Sequence, residues 1–127
     1  MIPKFRVFDK TENKMWNVEA IYIEDEWVKV NDGSIYGTTK DLVRDYVVMQ
    51  ATGVTSIYDD NNTEIYEGDI VKTKSSPDGR FIGYVGNAVS RFEVRGVKQY
   101  KGLKHDLDGS YVVIGNVHQN PELLEDN

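Results

Sequence analysis

SIYDDNNTEIYEGDIV, residues 56–71, is the stretch that decides the fold. Ser56-Ile57-Tyr58 and Glu64-Ile65-Tyr66 carry strand-forming residues and flank the polar run Asp59-Asp60-Asn61-Asn62-Thr63. Asp and Asn tolerate the left-handed backbone that tight turns require, and their side chains bond the backbone just ahead. The pattern predicts a β-hairpin. Gly68-Asp69 then makes a sharp corner into the apolar pair Ile70-Val71. Such a corner opens the first long strand of small SH3-like barrels, so a barrel strand is expected directly after the hairpin.

The same rhythm continues on both sides. Toward the N-terminus, Phe5-Arg6-Val7-Phe8 and Met15-Trp16-Asn17-Val18 flank the polar segment Asp9 to Lys14 and predict an opening hairpin. Ile21-Tyr22-Ile23 and Trp27-Val28-Lys29-Val30 follow, with Asp32-Gly33 as a turn signal. The apolar spacing of Lys40 to Gln50 fits a helix or a strand. The β-branched and aromatic Tyr46-Val47-Val48 favours a strand from about Arg44 to Gln50, which Gly53 stops.

Toward the C-terminus, Ser75-Ser76-Pro77-Asp78-Gly79 is a loop. Arg80 to Val85 and Ser90 to Val97 read as strands, with Gly86-Asn87 as a turn or bulge between them. Lys98 to Asp108 has little apolar content and reads as a loop, and Tyr111-Val112-Val113-Ile114 as a buried strand. Asn120-Pro121-Glu122-Leu123-Leu124 reads as a short helix with Asn120 as its N-cap and Pro121 at the first helical position.

Short strands at close spacing, parted by Gly- and Asp-bearing turns, predict an all-β fold. The expected form is a small barrel or sandwich of short antiparallel strands, with an SH3-like element and a short C-terminal helix. The expected core draws on Phe5, Val7, Trp16, Val28, Val47, Ile65, Ile70, Val85, Phe92, Val112 and Ile114. A length of 127 residues fits one domain, 1–127, whose natural division is an N-terminal β subregion 1–50 and a barrel-like subregion 51–127.

Hydrophobic residues make up 39 % of the chain and charged residues 28 %, the balance of a globular protein and not of a disordered one. The absence of cysteine rules out disulfides, thiolate metal sites and a cysteine nucleophile. No apolar run approaches the roughly 18 residues of a membrane helix. MIPKFRVFDK at the N-terminus has no h-region, so a signal peptide and a membrane partner are not expected, and a cytoplasmic setting is.

The net charge of −6 is unevenly distributed. Residues 1–71 hold 7 basic and 14 acidic groups, residues 72–104 hold 8 and 2, and residues 105–127 hold none and 5. The overall sign opposes loose DNA binding, while the middle block leaves a basic surface open.

Catalytic and metal patterns fail one by one. His105 and His118 stand apart with no metal-ligand spacing. Asp59, Asn61 and Thr63 imitate the start of a calcium loop, but Glu64 stands where glycine must bend it and Ile70 where the bidentate glutamate belongs. No serine lies in a G-x-S-x-G elbow, and no Walker or G-x-G-x-x-G loop exists. The reading is that of a protein that is not an enzyme and needs no cofactor.

Two binding readings remain. The basic block interleaves cations with aromatic rings, the composition with which small barrels hold single-stranded nucleic acid. Arg80, Tyr84, Arg91, Phe92, Arg95 and Lys98 are the candidates for that surface. Alternate strand residues point outward, so some of these cations simply wet the solvent face. The second reading is self-association through Trp16, Tyr66, Leu123 and Leu124. Two leucines beside an acidic tail call for cover, and small β proteins protect sheet edges by assembling.

Four blocks also carry a likeness. KFRVFDK, VVMQATGV, EIYEGDIVK and VIGNVHQNPELLE stand in this order along nearly the whole chain. In this the chain resembles the YopX family of phage and prophage proteins. The resemblance implies a β-rich fold, a phage or prophage origin, expression in a bacterial cytoplasm and homo-oligomers, and it implies no known enzyme activity. The leading expectation is therefore a phage accessory protein acting as an interaction or assembly module, with itself or a host or phage protein as partner. The alternatives are a single-strand-binding barrel using segment 72–104 and an acidic nucleic-acid mimic that inhibits a host enzyme.

Overall fold

The computed structural model describes residues 4–22, 24, 26–31, 38–41, 46–74 and 81–125. The turn expected at Asp32-Gly33 and the loop Ser75–Gly79 lie outside the described residues. Among the described residues the fold is mostly β. Its strands, in chain order, are β1 (Phe5–Asp9), β2 (Lys14–Tyr22), β3 (Trp27–Asn31), β4 (Thr38–Asp41), β5 (Tyr46–Thr55) and β6 (Glu64–Tyr66). They continue with β7 (Asp69–Thr73), β8 (Ile82–Asn87), β9 (Phe92–Gly96), β10 (Lys104–Asp106) and β11 (Tyr111–Asn116). The chain forms two compact units, Met1–Gln50 and Ala51–Asn127.

In the first unit β1 pairs antiparallel with β2 on one side and with Tyr46–Gln50 of β5 on the other, and β3 and β4 extend the sheet beyond β2. The β1–β2 turn is drawn tight by Asp9, whose Oδ1 accepts the Thr11 and Glu12 backbone N–H groups at 2.9 and 3.2 Å. Val7, Trp16, Val28 and Val30 form the core of this unit, with Val18, Ile21 and Tyr46 against it. The two short strands expected at Met15–Val18 and Ile21–Ile23 are one, β2, because a bulge between Val18 and Ala20 absorbs the break in alternation.

β5 also outruns the expected stop. Gly53 adopts φ +79° inside the strand, where it makes a bulge and not an end. The Thr52 hydroxyl staples that bulge, donating to the Ile65 carbonyl at 2.7 Å and accepting the Val54 N–H at 3.1 Å. The far half of β5 therefore pairs with β6 in the second unit, Ala51 opposite Tyr66 and Thr55 opposite Glu64.

The second unit is the SH3-like element. Its sheet runs β10-β9-β8-β7-β11, a four-stranded meander to whose first strand the last returns. Gly68 takes φ +89° at the corner, and the Asp69 carboxylate accepts the Tyr66 N–H at 2.8 Å across it. Ile65, Val71, Phe81, Val85, Val94 and Tyr111 are the buried core, with Phe92 and Tyr100 packed against them. Fully burying an aliphatic side chain of this kind is worth about 1.5–3 kcal/mol. Gly86-Asn87 is the end of β8 and not a turn, and Lys98–Asp108 contains β10, which pairs with β9. The C-terminal helix is a single 3-10 turn over Pro121–Leu124.

Candidate functional site

Polar residues in the second unit fall into two kinds, those used by the backbone and those left over. The segment Gly115–Asn120 is of the first kind. Asn116 Oδ1 accepts the N–H groups of His118 and Gln119 at 3.1 and 2.9 Å, and its amide donates to Gln119 Oε1 at 2.8 Å. Asn120 does not cap the C-terminal turn with its side chain. Its Oδ1 reaches back to the Asn116 N–H at 3.1 Å, over a Gly115 where a Cβ would meet it.

The cations of β9 and β10 are of the second kind. β9 ends at Gly96, and the chain turns through Val97–Leu103 before pairing back as β10. Gly96 donates to the Leu103 carbonyl at 2.8 Å, Tyr100 to Val97 at 3.0 Å and Lys101 to Lys98 at 3.1 Å, so the loop is a wound, closed unit. A Cβ on Gly96 would run into the Tyr100 carbonyl, so glycine is required there. The Tyr100 ring packs on Phe81 at 5.1 Å, and His105 meets the Phe81 edge at 4.3 Å. The aromatic side of the loop thus faces the core.

Its basic side lines a cleft of about 380 Å³. Arg95, Lys98, Lys101 and Lys104 bring four cations to it, and Tyr84, Leu103 and Leu124 are among its other walls. Arg95 lies across Gly86, where a Cβ would strike the guanidinium, and its charge sits 6.0 Å from the Tyr84 ring centre. Its Nε donates to Glu93 Oε1 at 2.9 Å and its terminal nitrogen to the Asn87 carbonyl at 3.3 Å. Glu93 is buried beneath. The hydrogen bond from Arg95 holds its carboxyl below the usual carboxylate range, against the opposing pull of desolvation, and Lys104 at 4.0 Å adds to the effect. Glu93 in turn raises the pKa of Arg95.

Lys98 and Lys101 have no carboxylate partner among the described residues. Lys98 adopts φ +57°, a left-handed conformation that costs a side-chain-bearing residue roughly 1–2 kcal/mol. Lys98 is thus a cation with no carboxylate partner among the described residues, held in the cleft in a strained conformation. Clefts lined by one sign of charge focus the field on an oppositely charged ligand.

Of the residues singled out from sequence, Tyr84, Arg95 and Lys98 meet in the cleft, and Leu124 joins them from the C-terminal turn. Arg91 does not line the cleft. It pairs with Asp106 across the β9–β10 hairpin at 2.8 Å. Phe92 packs toward the core, so it offers no stacking surface beside Arg95. Arg80 lies outside the described residues. Trp16 is buried in the core of the first unit with Lys14 over its ring, Tyr66 is half-buried on β6, and Leu123 is half-buried. Lys101, Leu103 and Lys104 are cleft residues that sequence reasoning passed over. The signal that could have found them is the three-residue spacing of Lys98, Lys101 and Lys104. Asp59 behaves as a turn residue, its two oxygens accepting the Asn61 and Thr63 N–H groups. Among the described residues no group of three or more His, Asp or Glu gathers where it could hold a metal.

Fold and cleft together define an antiparallel β protein with an SH3-like unit that presents a basic, leucine-edged cleft. A family model described as YopX protein matches residues 4–125, and the chain belongs to the YopX family. A solved structure, protein EF1440 from Enterococcus faecalis, is similar at 29 % identity and a TM-score of 0.62, covering 98 % of this chain and 99 % of that one. No curated protein matches the chain.

Proposed function

We propose that the chain is a phage or prophage accessory protein that works in the bacterial cytoplasm as a protein-interaction module and not as an enzyme. In this reading the basic cleft receives an acidic segment of a protein partner that also carries apolar side chains. The observation that supports it is the pairing of unneutralised Lys98 and Lys101 with the apolar walls Leu103 and Leu124.

The cleft matches a protein segment better than a nucleic acid. Single-strand binders stack bases on exposed rings. Here Phe81, Phe92 and Tyr100 serve the core, and Tyr84 alone lines the cleft, already faced by Arg95. A ligand with carboxylates for the lysines and an aliphatic side chain for Leu103 answers both the basic and the apolar walls.

The test is fluorescence anisotropy with a labelled Glu-Leu-Glu-Asp peptide and, in parallel, an oligothymidine of equal net charge. Saturable peptide binding that weakens with salt and is lost in Lys98→Ala/Lys101→Ala supports the reading. Tighter binding of the oligothymidine would replace it with the single-strand reading, and binding of neither would remove the cleft as a site.

A further inference from the structure

The second unit also displays a segment with the chemistry its own cleft requires. At the β5–β6 hairpin tip Ile57 is 74 % exposed and Tyr58 43 % exposed, and Asp59 and Asp60 follow directly. Residues 46–71 contain five acidic groups and no lysine or arginine, and the cation that stands by the tip is Lys74, over the Tyr58 ring. Asp60 has no ion-pair partner among the described residues. Ile57 and Tyr58 form an adjoining pair of exposed large apolar side chains, and apolar patches of this kind mark contact surfaces.

The tip is also preformed. Ile57 donates to the Gly109 carbonyl at 2.8 Å, and the Ser56 hydroxyl accepts the Tyr58 N–H at 3.2 Å. Asp59 accepts from Asn61 at 2.9 Å and Thr63 at 3.0 Å, and Asn62 takes φ +54° to close the turn. The Lys74 ammonium steadies the Tyr58 ring from 4.7 Å. A segment already held in shape loses little conformational freedom on binding, which favours association.

We infer that the hairpin tip of one copy docks in the basic cleft of another. Ile57 and Tyr58 meet the wall of Leu103 and Leu124, and Asp60 with the outer face of Asp59 meets Lys98 and Lys101. Tip and cleft are different surfaces of one chain, so each copy offers both halves of the contact. Two copies that reciprocate form a dimer, and copies that do not form a ring or a chain. The inference rests on the cleft being a site for acidic protein segments and names a second copy as the partner.

Sedimentation velocity tests it with two double variants, Lys98→Glu/Lys101→Glu in the cleft and Ile57→Ser/Asp60→Asn at the tip. Ile57, Asp60 and Lys101 are exposed and Lys98 is half-buried, so the thermal midpoint of each variant is expected to stay near that of the wild type, and circular dichroism checks this. The wild type is expected to gain mass with concentration and to lose it at high salt. Each variant alone is expected to associate at least about tenfold more weakly, from the loss of ion pairs and apolar contact. Mixing the two restores one intact junction, because the first keeps its tip and the second its cleft, and yields a complex of two chains that grows no further.

A wild type that stays monomeric up to about 0.5 mM would overturn the inference. So would variants that associate like the wild type, or a mixture that stays monomeric. The Glu-Leu-Glu-Asp titration separates the two failures. Peptide binding by a strictly monomeric wild type removes the self-docking and keeps the cleft, whereas absence of peptide binding removes both.

Discussion

Two segments of the second unit, Gly115–Asn120 and Arg95–Lys104, are about equally polar and have opposite fates. In the first, the Asn116 and Asn120 side chains are consumed by neighbouring backbone groups within a few residues. In the second, the backbone satisfies itself through turns, Tyr100 anchors the loop to Phe81, and Lys98 and Lys101 have no carboxylate partner among the described residues. A recognisable motif such as VIGNVHQNPELL is therefore a folding device here. The binding proposed for this protein rests instead on a segment with no motif, where charge and backbone strain are left uncompensated among the described residues.

The contrast can be broken by substitution. The largest effect is expected from Asn116→Ala, which strips the His118 and Gln119 N–H groups of their acceptor at a buried position. Each hydrogen bond lost costs about 0.5–1.5 kcal/mol, and two to the backbone go together here. Denaturant unfolding should show that loss while peptide affinity of the folded protein stays unchanged. A fall in affinity as large as the fall in stability would erase the distinction.

Gly96→Ala comes next. Its Cβ collides with the Tyr100 carbonyl, and overpacking of this kind costs about 1–3 kcal/mol. Because the collision opens the loop itself, stability and affinity should fall together.

Lys98→Gly should move the two quantities in opposite directions. Glycine relieves the left-handed strain, so the folded state gains up to about 1 kcal/mol if the unfolded chain's added freedom is the smaller term. The same change removes an unpaired cleft cation, so peptide binding weakens. Loss of stability with unchanged binding would show that Lys98 serves the fold.

The smallest effect is confined to acid. Glu93 has a folded pKa depressed by Arg95, so its stabilising contribution is present above the unfolded value and is lost as pH falls through the folded one. That contribution should be constant above about pH 5 and should decline below the usual glutamate range. Glu93→Gln is expected to flatten this part of the stability profile and to release Arg95 toward the ligand. An unchanged acid limb would show that Glu93 is not coupled to Arg95.

Much of the fold was legible because its determinants are local. The hairpin at Asp59–Thr63, the Gly68-Asp69 corner and the Phe5–Val18 hairpin each rest on a turn residue bonding its own neighbourhood. The errors came where a distant partner decides. Gly53 reads as a stop until Thr52 is seen to bridge to Ile65 across the bulge. Lys104–Asp106 has no strand character of its own and becomes β10 because β9 offers an edge. Asn120 has the identity of a cap, yet a closer acceptor role at the Asn116 N–H claims its side chain.

The site was half legible for the same reason. Alternation on β8 and β9 places Tyr84 opposite Arg95, which pairwise register alone delivers. The same register turns Phe92 away and hands Arg91 to Asp106, and neither follows from the number of cations in the segment. Lys101 and Lys104 reach the cleft only because the loop winds back on Gly96, a closure made by backbone bonds that leave no mark in composition.

Amide NMR during titration of the wild-type protein with the Glu-Leu-Glu-Asp peptide reads the cleft most directly. Perturbed resonances are expected to concentrate at Arg95–Lys104 and at Leu124, with Gly115–Asn120 unmoved. Shifts spread evenly over all lysines and arginines of the chain, or centred away from that loop, would contradict the assignment of binding to the uncompensated segment.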